Sequence, residues 1–167
     1  LCRDWENAAK PLGDDGVRLC FSRTGVVAGP DGGFLERMLL PFKLALGGRL
    51  GSGTQYMPWV HRDDVVSALI WMMENPDASG PYNVVSPNPV TNAEFTRSLG
   101  RVLHRPTLFP APAPVLKVAL GEMARLLLTG QRAIPEKLVS QQFQFGYPDL
   151  DQALTQSVAP GAAGQKG

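Results

Sequence analysis

A chain of 167 residues is long enough for one domain or a little more. Its 16 basic and 15 acidic residues nearly cancel, so neither a basic stripe for nucleic acid nor an acidic solvating tail is expected. A hydrophobic content of 44% permits a packed core, yet no apolar run approaches the roughly 20 residues needed to cross a bilayer.

Leu1, Trp5, Ala8 and Ala9 fall on one helical face, and the stretch at 11–16 ends that helix. Residues 17–21 form a short β-rich run that predicts a strand, followed by a loop over 23–33. A second helix is expected from about Phe34, kinked or ended by Pro41. A glycine-rich turn at 47–53 leads into a short extended stretch at 55–61. Asp63 or Asp64 then reads as the N-cap of a helix over 65–74, apolar nearly all round and so expected to be buried on more than one side.

Residues 82–85 predict another strand. Thr91 and Glu94 have the spacing of a capping box, opening a helix that carries Phe95, Leu99, Val102 and Leu103 on one face. A proline-rich connector at 106–114 precedes a strongly apolar helix at 115–128. A short extended piece at 141–147, a helical turn or two at 150–154 and a disordered tail from Ser157 complete the expectation. Strands alternating with helices, and then helices alone, indicate an α/β layer joined to a mainly helical part.

The residue types narrow the chemistry. Cys2 and Cys20 lack C-x-x-C spacing and read as buried thiols of a reducing compartment, against a disulfide scaffold or a metal site. Gly29-Pro30-Asp31-Gly32-Gly33 could present backbone N–H groups to a phosphate, but a plain turn before a helix is the heavier reading. Neither a Walker motif nor a G-x-x-G-x-x-G fingerprint is present. The run His61-Arg62-Asp63-Asp64 has the composition of a catalytic cluster, yet consecutive side chains rarely converge, so a helix cap with surface charges is favoured. His61 facing a cleft and His61 as a structural residue both stand. His104 beside Arg105 suits a helix C-terminus. With two histidines and no nucleophile partner, no Ser–His–Asp arrangement can be assembled. Arg23 ranks first among binding candidates: it follows a strand end, where open α/β sheets place ligands, and serves equally as an anion clamp or a structural ion pair. Tyr56 and Trp59 could line a pocket or pack in the core, and Trp71 reads as core.

Several stretches together resemble the extended short-chain dehydrogenases/reductases. They are Arg23-Thr24-Gly25-Val26-Val27-Ala28-Gly29-Pro30, Trp59-Val60-His61-Arg62-Asp63-Asp64-Val65-Val66 and Pro81-Tyr82-Asn83-Val84. From Leu1 to about Leu154 the closer resemblance is to the epimerase family with a short C-terminal DUF1731 module. Its pieces include Leu1-Cys2-Arg3-Asp4-Trp5-Glu6, Met38-Leu39-Leu40-Pro41-Phe42, Gly51-Ser52-Gly53, Asn92-Ala93-Glu94-Phe95 and Gly130-Gln131-Arg132.

The resemblance implies the C-terminal part of a Rossmann-like parallel sheet at 1–90, a small, mainly helical substrate module at 91–156 and a tail at 157–167. It implies an NADP(H)-dependent epimerase or oxidoreductase acting on a small molecule, with most cofactor contacts made by a segment preceding Leu1. The expected cofactor-side residues are Arg23, Gly25, Val26 and Val27; the expected substrate-side residues are Arg49, Tyr56 and His61. No catalytic residue and no metal ligand is assigned. The Tyr-x-x-x-Lys pair of the family is absent: four residues after Tyr56, Tyr82 and Tyr147 stand Val60, Ser86 and Asp151. Where sugar-nucleotide epimerases carry an arginine before the Val-His-x-Asp-Asp segment, this chain has Met57, which favours a less charged substrate. A cytoplasmic protein without nucleic-acid or membrane partners is expected, compatible with a homo-oligomer. A non-catalytic NADP(H) sensor or scaffold is the alternative.

Overall fold

The computed structural model describes residues 2–14, 16–30, 33–112, 114 and 128–159. Helix α1 (Cys2–Ala9) is followed at once by the short α2 (Pro11–Asp14), with proline at the first helical position, where its missing N–H costs nothing. Strand β1 is Cys20–Thr24, three residues later than the β-rich run suggests. The cause is Arg18. Its guanidinium donates to the Met72, Met73 and Ala78 carbonyls at 2.6, 2.8 and 2.8 Å, so this stretch is tied to a helix end by a side chain rather than by a ladder.

The expected loop at 23–33 contains strand β2 (Val26–Ala28). Helix α3 (Gly33–Lys43) carries Pro41 inside its last turn and continues past it. The extended stretch divides at Pro58 into β3 (Tyr56–Met57) and β4 (Trp59–His61), which runs into α4 (Arg62–Glu74). Next come β5 (Gly80–Val84), β6 (Val90–Thr91) and α5 (Asn92–Val102), then α6 (Glu136–Ser140) and α7 (Leu150–Val158).

The pairing is that of a Rossmann-like α/β fold. β1 lies parallel to β5, from Cys20 opposite Gly80 to Thr24 opposite Val84, and β2 lies parallel to β4, from Val26 opposite Trp59 to Ala28 opposite His61. Gly25 carries the chain from one pair to the other: its N–H donates to the Val84 carbonyl at 3.1 Å, and that of Val26 to the Pro58 carbonyl at 2.6 Å. A Cβ at Gly25 would run into the Pro58 carbonyl and come within 2.9 Å of Val85, so only glycine fits this crossing. β3 and β6 form a small antiparallel pair.

Two apolar clusters hold the layers together. One joins Leu35, Phe42, Met57, Trp59, Phe95, Leu99, Leu150, Ala153 and Leu154. The other joins Val60, Ala68, Met72, Ala78, Tyr82, Val84, Leu138 and Phe143, with Trp71 packed edge-on against Tyr82 and Phe143. Each cluster mixes residues from before and after residue 91, so the mainly helical part shares its core with the sheet.

Some expectations are corrected. α4 buries Ala68 and Met72 on one face and leaves Val66, Leu69, Ile70 and Met73 exposed, so it is not enclosed on several sides by the described residues. α6 stands where no element was expected, and 141–147 forms a turn and coil rather than an extended piece. Helix α7 takes in Ser157, whose buried hydroxyl donates to the Ala153 carbonyl at 2.8 Å, so the tail does not begin there. The predicted helix at 115–128 falls almost wholly on residues outside the described ones, as do residues 160–167. Among the described residues, no helix is long and apolar enough to cross a membrane.

Candidate functional site

A cleft of about 1000 Å³ opens along β1. α1 contributes Trp5 and Glu6 to it, β1 contributes Arg23 and Thr24, and Gly25 lies at its floor. The facing wall is the coil Gln131, Arg132 and Ala133 that precedes α6. β5 adds Asn83, whose side-chain amide donates to the Ile134 carbonyl at 3.2 Å and so ties the far wall to the sheet.

Arg23 lies within β1, and its guanidinium is engaged. Nε and Nη2 donate to the two carboxylate oxygens of Glu6, both at 2.7 Å, fastening α1 to β1. These bonds hold the Glu6 carboxyl below the usual carboxylate range. Of its two sequence readings, the described contacts of Arg23 realise the structural ion pair. Gly25 also lines the cleft, but the atoms that exclude a side chain there belong to Pro58 and Val85 of this chain. Val26 and Val27 lie in β2, outside the cleft lining.

Among the residues expected on the substrate side, Arg49 is exposed in the glycine-rich turn, where its carbonyl accepts from Ala111 N–H at 2.9 Å. Tyr56 is half-buried behind the far wall: the Arg132 guanidinium sits 5.8 Å from its ring centroid, within cation–π range. Gly130 lies against the Tyr56 backbone with no room for a Cβ, which pins the start of that wall. Arg132 thus links Tyr56 to the cleft, while Arg49 does not reach it.

His61 is buried, with 1% exposure, and lines no part of the cleft. Its Nδ1 accepts from the Asp63 N–H at 3.2 Å, which makes His61 the N-cap of α4. Asp64, one of the two residues expected to cap this helix, does not hold the cap. Instead its buried carboxylate accepts from the N–H groups of Gly146 at 2.7 Å and Tyr147 at 3.1 Å. In the first turn of a helix, an aspartate side chain can point outward to a second segment, and the Asp63 N–H here already has the imidazole. Burial pushes the His61 imidazole below its ordinary value, opposed by the nearby Asp63 and Asp64 carboxylates.

Sequence reasoning did not assign Asn83, Gln131 or Arg132 to the site. The signal for the last two was the Gly130-Gln131-Arg132 piece, where a glycine precedes a cation in an otherwise featureless coil. No group of three or more potential metal ligands gathers among the described residues.

Comparison with known proteins places the chain among epimerase-family proteins. Residues 6–86 match the NAD dependent epimerase/dehydratase family and residues 111–157 match DUF1731, a domain of unknown function. An epimerase family protein of Mycobacterium tuberculosis is 48% identical over 155 residues, covering 92% of this chain and 52% of the relative. The human epimerase family protein SDR39U1 is 41% identical over 160 residues, covering 95% of this chain and 54% of the relative. The chain therefore spans about half the length of the relatives it matches. The crystal structure of human SDR39U1 (isoform 2) with NADPH superposes with a TM-score of 0.82 at 39% identity, over 86% of this chain and 49% of that one. A nucleoside-diphosphate sugar epimerase from Corynebacterium glutamicum superposes with a TM-score of 0.73 at 33% identity, over 93% of this chain and 29% of that one.

Proposed function

The chain belongs to the NAD-dependent epimerase/dehydratase family, with a DUF1731 segment after the epimerase part, and on that premise we propose that it supplies one wall of an NADP(H)-dependent oxidoreductase or epimerase site for a small molecule. The observation that carries this reading is the cleft between β1 and the coil at 131–133. Its near side offers what the reactive end of a dinucleotide needs: a strand end with small side chains and backbone at Ser22, Thr24 and Gly25. Its far side offers the amide of Gln131 and the guanidinium of Arg132, groups that orient a polar substrate.

A nicotinamide cofactor supplies hydride transfer when bound. This chain has no glycine-rich dinucleotide loop, and its share is to border the nicotinamide end and to position the substrate. Residues 1–90 complete the cofactor-binding part and 91–156 form the substrate module. The solved relative with NADPH supports the choice of cofactor.

The test is a titration of the full-length protein with NADPH, followed by NADPH oxidation against a panel of small carbonyl compounds. Tight binding with turnover is expected, and Ala133→Trp, which narrows the cleft from its far wall, should raise KM for the carbonyl substrate. A full-length protein that binds no nicotinamide nucleotide overturns the reading. For the alternative reading, a sensor or scaffold, binding without turnover is the expected result.

A further inference from the structure

Two neighbouring side chains at the start of α4 reach the same distant turn. Asp64 holds the Gly146 and Tyr147 N–H groups, and the His61 ring packs against the Tyr147 ring with centroids 3.9 Å apart and planes tilted by 36°. We propose that His61 and Asp64 form a pH-sensitive latch that grips this turn at neutral pH and loosens it on acidification.

Because Nδ1 accepts from the Asp63 N–H, the neutral ring carries its proton on Nε2. Nε2 is buried without a partner among the described residues, so nothing there compensates further charge. A second proton must go onto Nδ1, the capping atom. A protonated Nδ1 cannot accept from Asp63 N–H. It turns instead toward the Asp63 carboxylate, already 3.8 Å away and shared with Arg62 at 3.1 Å. Turning the ring breaks both the cap and the packing against Tyr147.

The charged and titratable groups around the ring are few. α4 presents Arg62, Asp63 and Asp64, the C-terminal segment presents Tyr147, and the residue opposite His61 on β2 is Ala28, which has no charge. Asp63, Asp64 and the face of Tyr147 favour the charged ring, whereas burial and Arg62 oppose it. Burial is the largest of these influences. The folded state therefore prefers the neutral ring. Stability is full above the unfolded value of 6.5 and declines as pH falls below it toward the depressed folded value.

The latch reaches the cleft through the chain. The gripped turn lies between α6 and α7; α6 follows the coil at 131–133, and α7 carries Leu150, Ala153 and Leu154 into the core. Releasing it would loosen the far wall of the cleft.

The experiment follows the full-length protein between pH 7.5 and 5.5 by chemical denaturation and by amide and imidazole NMR. With an unfolded value of 6.5, lowering the pH to 5.5 should raise the unfolding constant up to about tenfold relative to His61→Asn. Asparagine keeps an uncharged capping oxygen. In the wild-type protein the Asp63, Gly146 and Tyr147 amides should shift together with the His61 ring, at a midpoint below 6.5. A His61 midpoint at or above 6.5, or Gly146 and Tyr147 amides that ignore its titration, overturns the latch. Both NMR readouts need neither nucleotide nor activity, so they stand apart from the proposed function.

Discussion

The Asp64 carboxylate accepts hydrogen bonds from the backbone N–H groups of Gly146 and Tyr147, 82 and 83 positions further along the chain. An acidic residue placed to cap its own helix thus fastens the segment leading to α7 onto the α/β layer. The accepting carboxylate is buried and the bonds are partly so, where an unanswered acceptor is costly.

This geometry separates Asp64 from a helix cap. A cap tolerates Asn or Ser, whereas two N–H donors facing one carboxylate do not tolerate an amide. Asparagine can answer one donor and sets its own N–H₂ against the other. Asp64→Ala and Asp64→Asn should therefore both destabilise the protein, by about 1.5–3 kcal/mol for a bond to a charged acceptor. Chemical denaturation of the full-length protein measures the loss. An Asn variant as stable as wild type but without activity would instead assign Asp64 to the chemistry.

Gly25 makes a second test. Its missing side chain leaves room for Pro58 and Val85, so the penalty for adding one belongs to folding. Gly25→Ala should cost about 1–3 kcal/mol, as overpacking does, and lower the melting temperature whether or not NADPH is present. A variant of unchanged stability that binds NADPH more weakly would return this glycine to the cofactor.

Thr91 and Glu94 close a reciprocal cap on α5. The Thr91 hydroxyl accepts from Glu94 N–H at 3.3 Å, while the Glu94 carboxylate takes the Thr91 N–H at 2.7 Å. Thr91→Ala should cost about 0.5–2 kcal/mol. Bonds from the Thr91 backbone and hydroxyl lower the Glu94 carboxyl below its ordinary 4.5. Its contribution is thus present above 4.5 and is lost as pH falls through the depressed value, so the Thr91→Ala penalty should shrink in acid. Denaturation of variant and wild type at neutral and acidic pH checks the sign.

What the sequence revealed depended on range. The capping box was legible because both partners sit within one turn, and so was the Phe95 and Leu99 face of α5, which follows the helical period. Strand β2 was not, because three residues between Gly25 and Gly29 give no alternation to read and its stability comes from β4. Asp64 looked like a cap because its true partners lie beyond any local window. Arg23 and Gly25 both line the cleft, and an ion pair was one of the two readings of Arg23, but its partner Glu6, and Pro58 against Gly25, lie far off in sequence. Gln131 and Arg132 stood in a short resemblance whose place in the cleft only the fold supplies.

Arg23 carries the last test, because a cation on a cleft invites a ligand and this one already has a carboxylate. Its Nε and Nη2 both donate to Glu6, side-on, the geometry in which arginine and carboxylate match best. If the pair is structural, Glu6→Gln and Arg23→Met should lower the melting temperature to a similar degree. The double variant should then be little worse than either alone, since each substitution removes the same interaction. The guanidinium side chain is 54% exposed, so the difference from wild type should also shrink in high salt. Its pH dependence has a fixed sign: the Arg23 bonds depress the Glu6 carboxyl, so the pair contributes above the ordinary 4.5 and is lost as pH falls through the depressed value. An anion-binding Arg23 behaves differently. Glu6 would then compete with the ligand, and Glu6→Gln would tighten NADPH binding by the full-length protein. The expected result is an affinity no higher than wild type together with a non-additive melting cycle; a tighter-binding Glu6→Gln variant would place Arg23 on the ligand.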